Sequence, residues 1–214
     1  MCDDLFYITQ QARILRDSSV MHFNFSLTIL LTCFFMLFYR FVSTDKSLTK
    51  LVFYASFFFY SMNVIRLVFF PFPFNPEYIE LLRAQIECGI LIPSRHNLEL
   101  FDYMKWGNLF HITTVGNFIL LMPLSFYLPL LFTEKKWNLI NITFVGFGIS
   151  LIIELTQLSY SLMINFVYRS FDVDDLMLNT AGVFVGFIIF SLLKAIILGI
   201  QKIHRLVFKI RAMD

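Results

Sequence analysis

Residues 150–161 read S-L-I-I-E-L-T-Q-L-S-Y-S, an apolar run that carries a carboxylate near its middle. In a helix, Ser150, Glu154, Gln157 and Ser161 lie within roughly 60° of one another on one face. Charged and amide groups are costly in hydrocarbon, so they normally face a protein interior or a water-filled cavity. We therefore predict a membrane-spanning helix whose polar face points into a helical bundle.

The next stretch, residues 169–186, reads R-S-F-D-V-D-D-L-M-L-N-T-A-G-V-F-V-G. If helix continues through the acidic turn, one narrow face carries two carboxylates, an amide and two glycines: Asp172, Asp175, Asn179, Gly182 and Gly186. The G-x-x-x-G spacing favours close approach of a neighbouring helix. Two polar faces on consecutive helices are expected to meet, and this is where we look for function.

Composition places the chain among polytopic membrane proteins. It has 214 residues, of which 58% are hydrophobic and 15% charged, with 28 phenylalanines. Soluble domains are about 25% charged, and one of this size has too little interior to bury so much apolar surface. There is no basic, aromatic-rich patch of the kind that binds nucleic acid. The N-terminus lacks the basic region of a cleavable signal peptide.

The cysteines and histidines give no pattern of a cofactor or metal site. Cys2, Cys33 and Cys88 are widely spaced and form no C-x-x-C motif, so we expect no disulfide framework and no zinc site. His96 and His111 fit no metal-ligand spacing, and nothing in the chain indicates a cofactor.

The pattern predicts an all-α, polytopic membrane helical bundle with about five transmembrane helices and an N-terminal amphipathic helix. Residues 1–22 read as an interfacial amphipathic segment, and 23–214 as a single transmembrane bundle. The connection at 71–108 begins with P-F-P-F-N-P, contains a short amphipathic helix and is acidic; we expect an extracytoplasmic loop. The five spans are predicted near 24–42, 51–70, 109–132, 138–162 and 176–199.

Basic residues in the connections predict the orientation in the membrane. Of the 17 lysines and arginines, ten collect on one side: Arg40, Lys46, Lys50, Lys135, Lys136, Lys194, Lys202, Arg205, Lys209 and Arg211. Because cytoplasmic loops carry an excess of these residues, we expect the C-terminus in the cytoplasm and the N-terminus outside. The turn at 169–175 then faces outward.

Glu154 is the strongest single candidate for chemistry. A carboxylate near mid-membrane needs a cation, hydrogen-bond donors or a neutral state. It is interpreted either as a proton- or substrate-contacting group or as a protonated group that joins helices. In the acidic turn, Asp172 and Asp175 could share a proton or bind a cation, or Arg169 could pair with Asp172 and fix the turn. Asp174 points away from the polar stripe and is expected to be a solvated cap.

The third span carries two further residues of interest. Pro123 should kink that helix, and Pro129 should mark its end. Asn117 either reaches the same polar cavity or joins helices. Asn179 is placed to donate to Glu154 or Asp175.

These blocks resemble the VanZ-like family of bacterial membrane proteins. The resemblance rests on N-x5-P-L at 117–124, S-x3-E-x2-Q at 150–157 and R-x2-D-x-D-D-x3-N-x2-G-x3-G at 169–186. Residues 109–199 would form the family core. An L-I-P at 91–93 resembles a short element of the family, although the usual asparagine before it is Ile90.

The family takes its name from a protein associated with resistance to teicoplanin. The resemblance implies a cell-envelope protein that contributes to glycopeptide or lipoglycopeptide resistance through a polar cavity open to the outer face. Besides the lipid bilayer, its partner would be a lipoglycopeptide antibiotic or a lipid-linked envelope precursor. The ligand-binding set would be Glu154, Gln157, Arg169, Asp172, Asp175, Asn179 and Asn117.

Two other functions stay open at this point. The first is a membrane-embedded enzyme that modifies a lipid or cell-wall precursor, with Glu154, Asp172 or Asp175 as acid and base and Arg169 holding an anionic group. No nucleophile of recognised type supports it, so we favour a non-enzymatic role. The second is a proton-coupled transporter, which is disfavoured by five spans without a visible inverted repeat.

Overall fold

The computed structural model describes residues 4–45, 47–101 and 110–211. The chain forms two compact units, one from residues 1–98 and 153–172 and the other from 99–152 and 173–214. The described residues are mostly helical, with two strands of two residues each. The predicted all-α helical architecture is confirmed.

The first unit combines an N-terminal helix, a helical hairpin and the short helix predicted in the long connection. Its elements are α1 (Leu5–Ser19), β1 (Val20–Met21), α2 (Phe25–Val42), α3 (Leu48–Phe69), β2 (Phe72–Pro73) and α4 (Pro76–Glu87). The last part of α7 (Leu139–Met163) and the turn after it complete this unit.

The second unit contains α5 (Ile112–Leu120), α6 (Leu124–Leu131), the first part of α7, and α8 (Val173–Arg211). Both α5 and α6 pack against α8. A Cβ atom on Gly182 would overlap the backbone oxygen of Phe118, and one on Gly186 would lie 2.9 Å from the backbone oxygen of Met122. Only glycine permits this approach, which confirms the predicted role of the G-x-x-x-G spacing.

Among the described residues, five segments are long and apolar enough to cross a membrane: Phe25–Val42, Leu48–Phe69, Ile112–Leu131, Leu139–Met163 and Val173–Lys202. Each predicted boundary lies within three residues of the observed one. The third span is interrupted as predicted, because Pro123 has no N–H to donate and α5 ends before it. Pro129 lies inside α6, which continues to Leu131 rather than ending at the proline.

The N-terminal helix α1 is amphipathic and packs against α4. Its residues Ile8 and Ala12 are buried. The strands β1 and β2 pair in antiparallel register, with Val20 opposite Pro73, and so join the segment after α1 to the segment after α3. Asn75 caps α4 by accepting the Glu77 N–H at 2.9 Å and also donates to Ser19 Oγ at 3.0 Å.

One expectation about the cysteines is wrong. Cys88, the residue that ends α4, is disulfide-bonded. Cys33 is free and exposed, and Cys2 lies outside the described residues. A disulfide was not expected because three cysteines without a spacing motif carry no signal of pairing.

Candidate functional site

The polar residues of α7 are buried, as the periodicity predicts. Ser150, Gln157 and Ser161 are all inaccessible or nearly so, and Glu154 is only 3% exposed. Their burial raises the question of which groups satisfy them, since an unpaired polar group in an apolar surrounding is costly. The groups that satisfy them differ between the two units.

In the first unit, Glu154 organises the turn that leads into α8. Its Oε2 accepts the backbone N–H of Asp172 at 3.0 Å, and Asp172 Oδ1 accepts from Asn97 Nδ2 at 2.9 Å. The Asn97 N–H donates to the Phe171 carbonyl at 2.8 Å, and His96 Nδ1 accepts the Phe171 N–H at 2.9 Å. The carboxylate and the loop at 96–97 therefore hold the acidic turn from both sides.

Gln157, Tyr168 and Arg169 cap the C-terminal end of α3. Gln157 Nε2 donates to the Val68 carbonyl at 2.9 Å. Tyr168 Oη donates to the Phe69 carbonyl, also at 2.9 Å. The last four carbonyls of a helix have no partner within it and must find one elsewhere. Side chains from the end of α7 and the turn after it supply those partners.

The guanidinium of Arg169 completes this cap. One terminal nitrogen donates to the Phe70 carbonyl at 2.9 Å and, more weakly, to the Leu67 carbonyl at 3.4 Å. A cation is favoured at this position by the negative end of the helix dipole. Arg169 therefore binds the end of α3 rather than Asp172, the partner in the alternative that the sequence left open. Ser161 Oγ donates a hydrogen bond to the Arg169 carbonyl at 3.0 Å.

Tyr168 lies in the turn between the spans and is partly buried. Burial raises the pKa of its phenol above the ordinary value, because the charged phenolate would be poorly solvated there. The neutral phenol is the form that donates to Phe69, so burial and capping favour the same protonation state.

In the second unit, the polar residues of α5, α7 and α8 form direct pairs. Asn117 Nδ2 donates to Asp175 Oδ1, so Asn117 reaches the acidic start of α8. Asn179 Nδ2 donates to Ser150 Oγ at 3.0 Å, rather than to Glu154 or Asp175 as predicted. Asn179 is buried, and its Oδ1 has no hydrogen-bond partner among the residues that the structure describes.

Asp174 is not a solvated cap, contrary to expectation. It is 1% exposed, and its Oδ1 accepts the Phe101 N–H at 2.6 Å. Helical spacing placed Asp174 off the polar stripe correctly. It gave no sign that residues of the long connection would cover that side of the helix.

Sequence reasoning missed a pocket in the first unit. It has a volume of about 440 Å³ and is lined by cationic, aromatic and apolar side chains: Arg16, Val20, His22, Pro71, Pro73, Tyr78, Leu82, Ser94, Phe166, Val167, Tyr168 and Arg169. We call it the arginine–histidine pocket. Among these lining residues none carries a carboxylate.

Of the residues predicted for ligand binding, this pocket includes Arg169 alone. Arg16 lies in α1, and His22 follows β1. In a segment of this kind, isolated basic residues resemble ordinary interfacial ones. No periodicity or spacing could have identified them, because α1 and the turn at 166–169 are far apart in the chain.

Comparison with known proteins identifies the family. The model of the VanZ/LLP1 family matches residues 57–194, well over half of the 214-residue chain. Neither curated proteins nor solved structures give a match. The match contains the whole of the N-x5-P-L, S-x3-E-x2-Q and R-x2-D-x-D-D blocks. The chain, a membrane protein by the five apolar spans of its described residues, belongs to the VanZ/LLP1 family.

Proposed function

We propose that this VanZ-like membrane protein of the bacterial envelope binds the anionic headgroup of an amphiphile in the arginine–histidine pocket and so contributes to glycopeptide resistance. The observation that carries the proposal is the charge of the lining. Arg16, Arg169 and His22 converge on one pocket, and the described lining residues include no carboxylate.

The chemistry of the lining suits a phosphate joined to an apolar group. Guanidinium groups bind phosphate through paired N–H donors, and arginine has five such donors. Arg169 can therefore hold the α3 carbonyls and still present N–H groups to a ligand. Pro71, Pro73 and Leu82 add apolar surface, and about 440 Å³ is within the usual range for a small-molecule site.

The charge of this lining favours one of the two partners that the family resemblance implies. A cationic drug group would be repelled by two arginines, whereas the phosphate of a lipid-linked envelope precursor would be attracted. We therefore propose the lipid-linked precursor as the ligand and changed drug binding as the consequence. Retaining such a precursor at the outer face would alter how much glycopeptide the cell surface holds.

Two observations support an outer location for the pocket. The excess of lysine and arginine on the opposite set of connections predicts that the N-terminal segment and the turn at 163–172 face outward. The disulfide at Cys88, which ends a helix of the same unit, suits an oxidising compartment.

The test compares teicoplanin susceptibility and cell-bound drug in strains that express the wild type, Arg16→Gln with His22→Gln, or Arg13→Gln. Arg13 is exposed on the same helix and does not line the pocket, so its variant is the matched control. We expect protection by the wild type and by Arg13→Gln, and none by the double variant at equal membrane abundance. Full protection by the double variant would contradict the proposal.

A binding measurement separates the ligand from the phenotype. Purified wild type should bind a polyprenyl phosphate and not the uncharged polyprenol, and the double variant should bind both equally weakly. A precursor pool that differs chemically between expressing and control cells would instead favour the enzyme hypothesis with Glu154 and Asp175.

A further inference from the structure

A second cavity, in the other unit, combines a long apolar wall with a cluster of lysines. It lies between α6, the turn after it and α8, and has a volume of about 940 Å³. Lys135, Lys136 and Lys194 line it, together with Thr133 and Ser191; the other lining residues are apolar or aromatic. We call this cavity the lysine groove.

Trp137 lines the groove beside the lysines. Its indole N–H donates to the Phe132 carbonyl at 3.1 Å, which fixes the ring, and Lys135 Nζ lies 4.4 Å from the ring centre. Tryptophan is enriched where the hydrocarbon meets the headgroups. We therefore expect the lysines at headgroup depth, with the apolar wall extending from them.

That wall is formed by aromatic and aliphatic side chains of α6 and α8. Phe126 meets Phe190 edge to face at 5.8 Å between ring centres. Leu193 and Ile197, about half exposed, continue the apolar surface along α8. This surface suits an acyl chain, because apolar side chains beside a lipid tail need no polar partner.

We propose that the lysine groove binds an anionic phospholipid, with the phosphate at the three lysines and one acyl chain along α8. Charge complementarity is the argument for this occupant. Three ammonium groups border an apolar groove that has no carboxylate among its described lining residues; Glu134 is exposed on the same turn and is not part of the lining. The charge bias of the connections predicts that this end faces the cytoplasm, where anionic lipids concentrate.

The experiment uses the fluorescence of Trp137 as a local probe. The chain has two tryptophans, so a Trp106→Phe background leaves Trp137 alone. The full chain is reconstituted in phosphatidylcholine bilayers with a small fraction of either phosphatidylglycerol or phosphatidylcholine that carries brominated acyl chains. We expect the brominated phosphatidylglycerol to quench at a mole fraction at least tenfold lower, and this difference to shrink in 1 M salt because screening weakens the contact.

Variants connect the preference to the lysines. Replacing Lys135, Lys136 and Lys194 by glutamine should make the two lipids quench alike, whereas replacing them by arginine should preserve the preference. The control removes three charges from the end of α2, the start of α3 and the connection between them (Arg40→Gln, Lys50→Gln and Lys46→Gln) and should change nothing.

Equal quenching by the two lipids in the wild type would overturn the proposal. So would a preference that survives the three glutamine substitutions, or one that the control substitutions also remove. If the glutamine variant does not fold, the arginine variant and the salt dependence decide. Loss of the preference in the arginine variant, or its persistence in 1 M salt, would each count against a site built from charge.

Discussion

Replacement of Arg169 by methionine is expected to destabilise the protein through the end of α3. Methionine keeps most of the side-chain length and removes the charge and the donors. The change leaves the Phe70 carbonyl without the bond it now receives at 2.9 Å, and the Leu67 carbonyl without a weaker one at 3.4 Å. It also removes a cation from the negative end of the helix dipole.

The magnitude follows from these two losses. A hydrogen bond to a charged group contributes about 1.5–3 kcal/mol, and a favourable charge at a helix end about 0.3–1 kcal/mol. Arg169 is only partly buried, so water replaces part of both contributions. We expect the free energy of unfolding to fall by about 2 kcal/mol. Gln157→Leu, which removes a neutral donor from the Val68 carbonyl, should cost about 1 kcal/mol, as interhelical bonds in membranes usually do.

The assay is unfolding of the purified full chain in mixed detergent micelles, followed by circular dichroism as the denaturing detergent is increased. Arg95→Met is the matched control, because it removes an exposed arginine from the same unit. It should change the unfolding free energy by less than about 0.5 kcal/mol. An Arg169→Met protein that unfolds within the same range as this control would refute the capping argument.

Three further predictions use the same assay. Gly182→Ala should destabilise by about 1–3 kcal/mol or more, because its Cβ would overlap the Phe118 backbone oxygen. Gly148→Ala, whose Cβ meets nothing within 4 Å, should leave the stability unchanged or slightly higher; equal losses in both would contradict the packing argument. Glu154→Gln should keep most of the stability, since an amide oxygen can still accept a backbone N–H, whereas Glu154→Leu should cost about 1–3 kcal/mol by leaving that N–H unpaired. Equal stability of these two variants would exclude the role of Glu154 in holding the turn. The raised pKa of Tyr168 means that its phenol binds its proton more tightly in the folded state, so this contribution is complete below about pH 10 and is lost as the pH rises further. Tyr168→Phe should lose less unfolding free energy than the wild type as the pH rises above about 10, and an equal loss in the two proteins would contradict the assignment.

The sequence predicted the spans well because the membrane itself sets their length and polarity. Composition gave the class, proline gave the break in the third span, and the glycine spacing gave the close packing of α8. Each of these signals is local: a residue and its neighbours on one helix decide the outcome. The buried polar face of α7 was predictable for the same reason.

The partners of that face were not predictable. Gln157 and Arg169 bind carbonyls about 90 to 100 residues earlier in the chain, and backbone carbonyls leave no trace in a sequence. The prediction for Asp174 was wrong for a similar reason. Its carboxylate accepts the N–H of Phe101, which lies on a connection with no periodicity. Partner identity depends on tertiary contacts, which side-chain patterns on single helices do not encode.

The two roles of Arg169 affect how mutations in this family should be interpreted. As a cap for α3 it would be required for folding, and as part of the arginine–histidine pocket it would be required for binding. Loss of activity on its replacement therefore does not distinguish a folding defect from a binding defect. Gln157 caps the same helix end without lining the pocket, so its replacement tests folding alone. Arg16 and His22 test binding instead. They lie on the exposed side of the N-terminal segment and cap no part of α3, yet they line the same pocket. A ligand contact is therefore best established at these two positions, outside the motifs that reveal the family, by variants that keep the unfolding free energy and lose binding of the phosphate-bearing lipid.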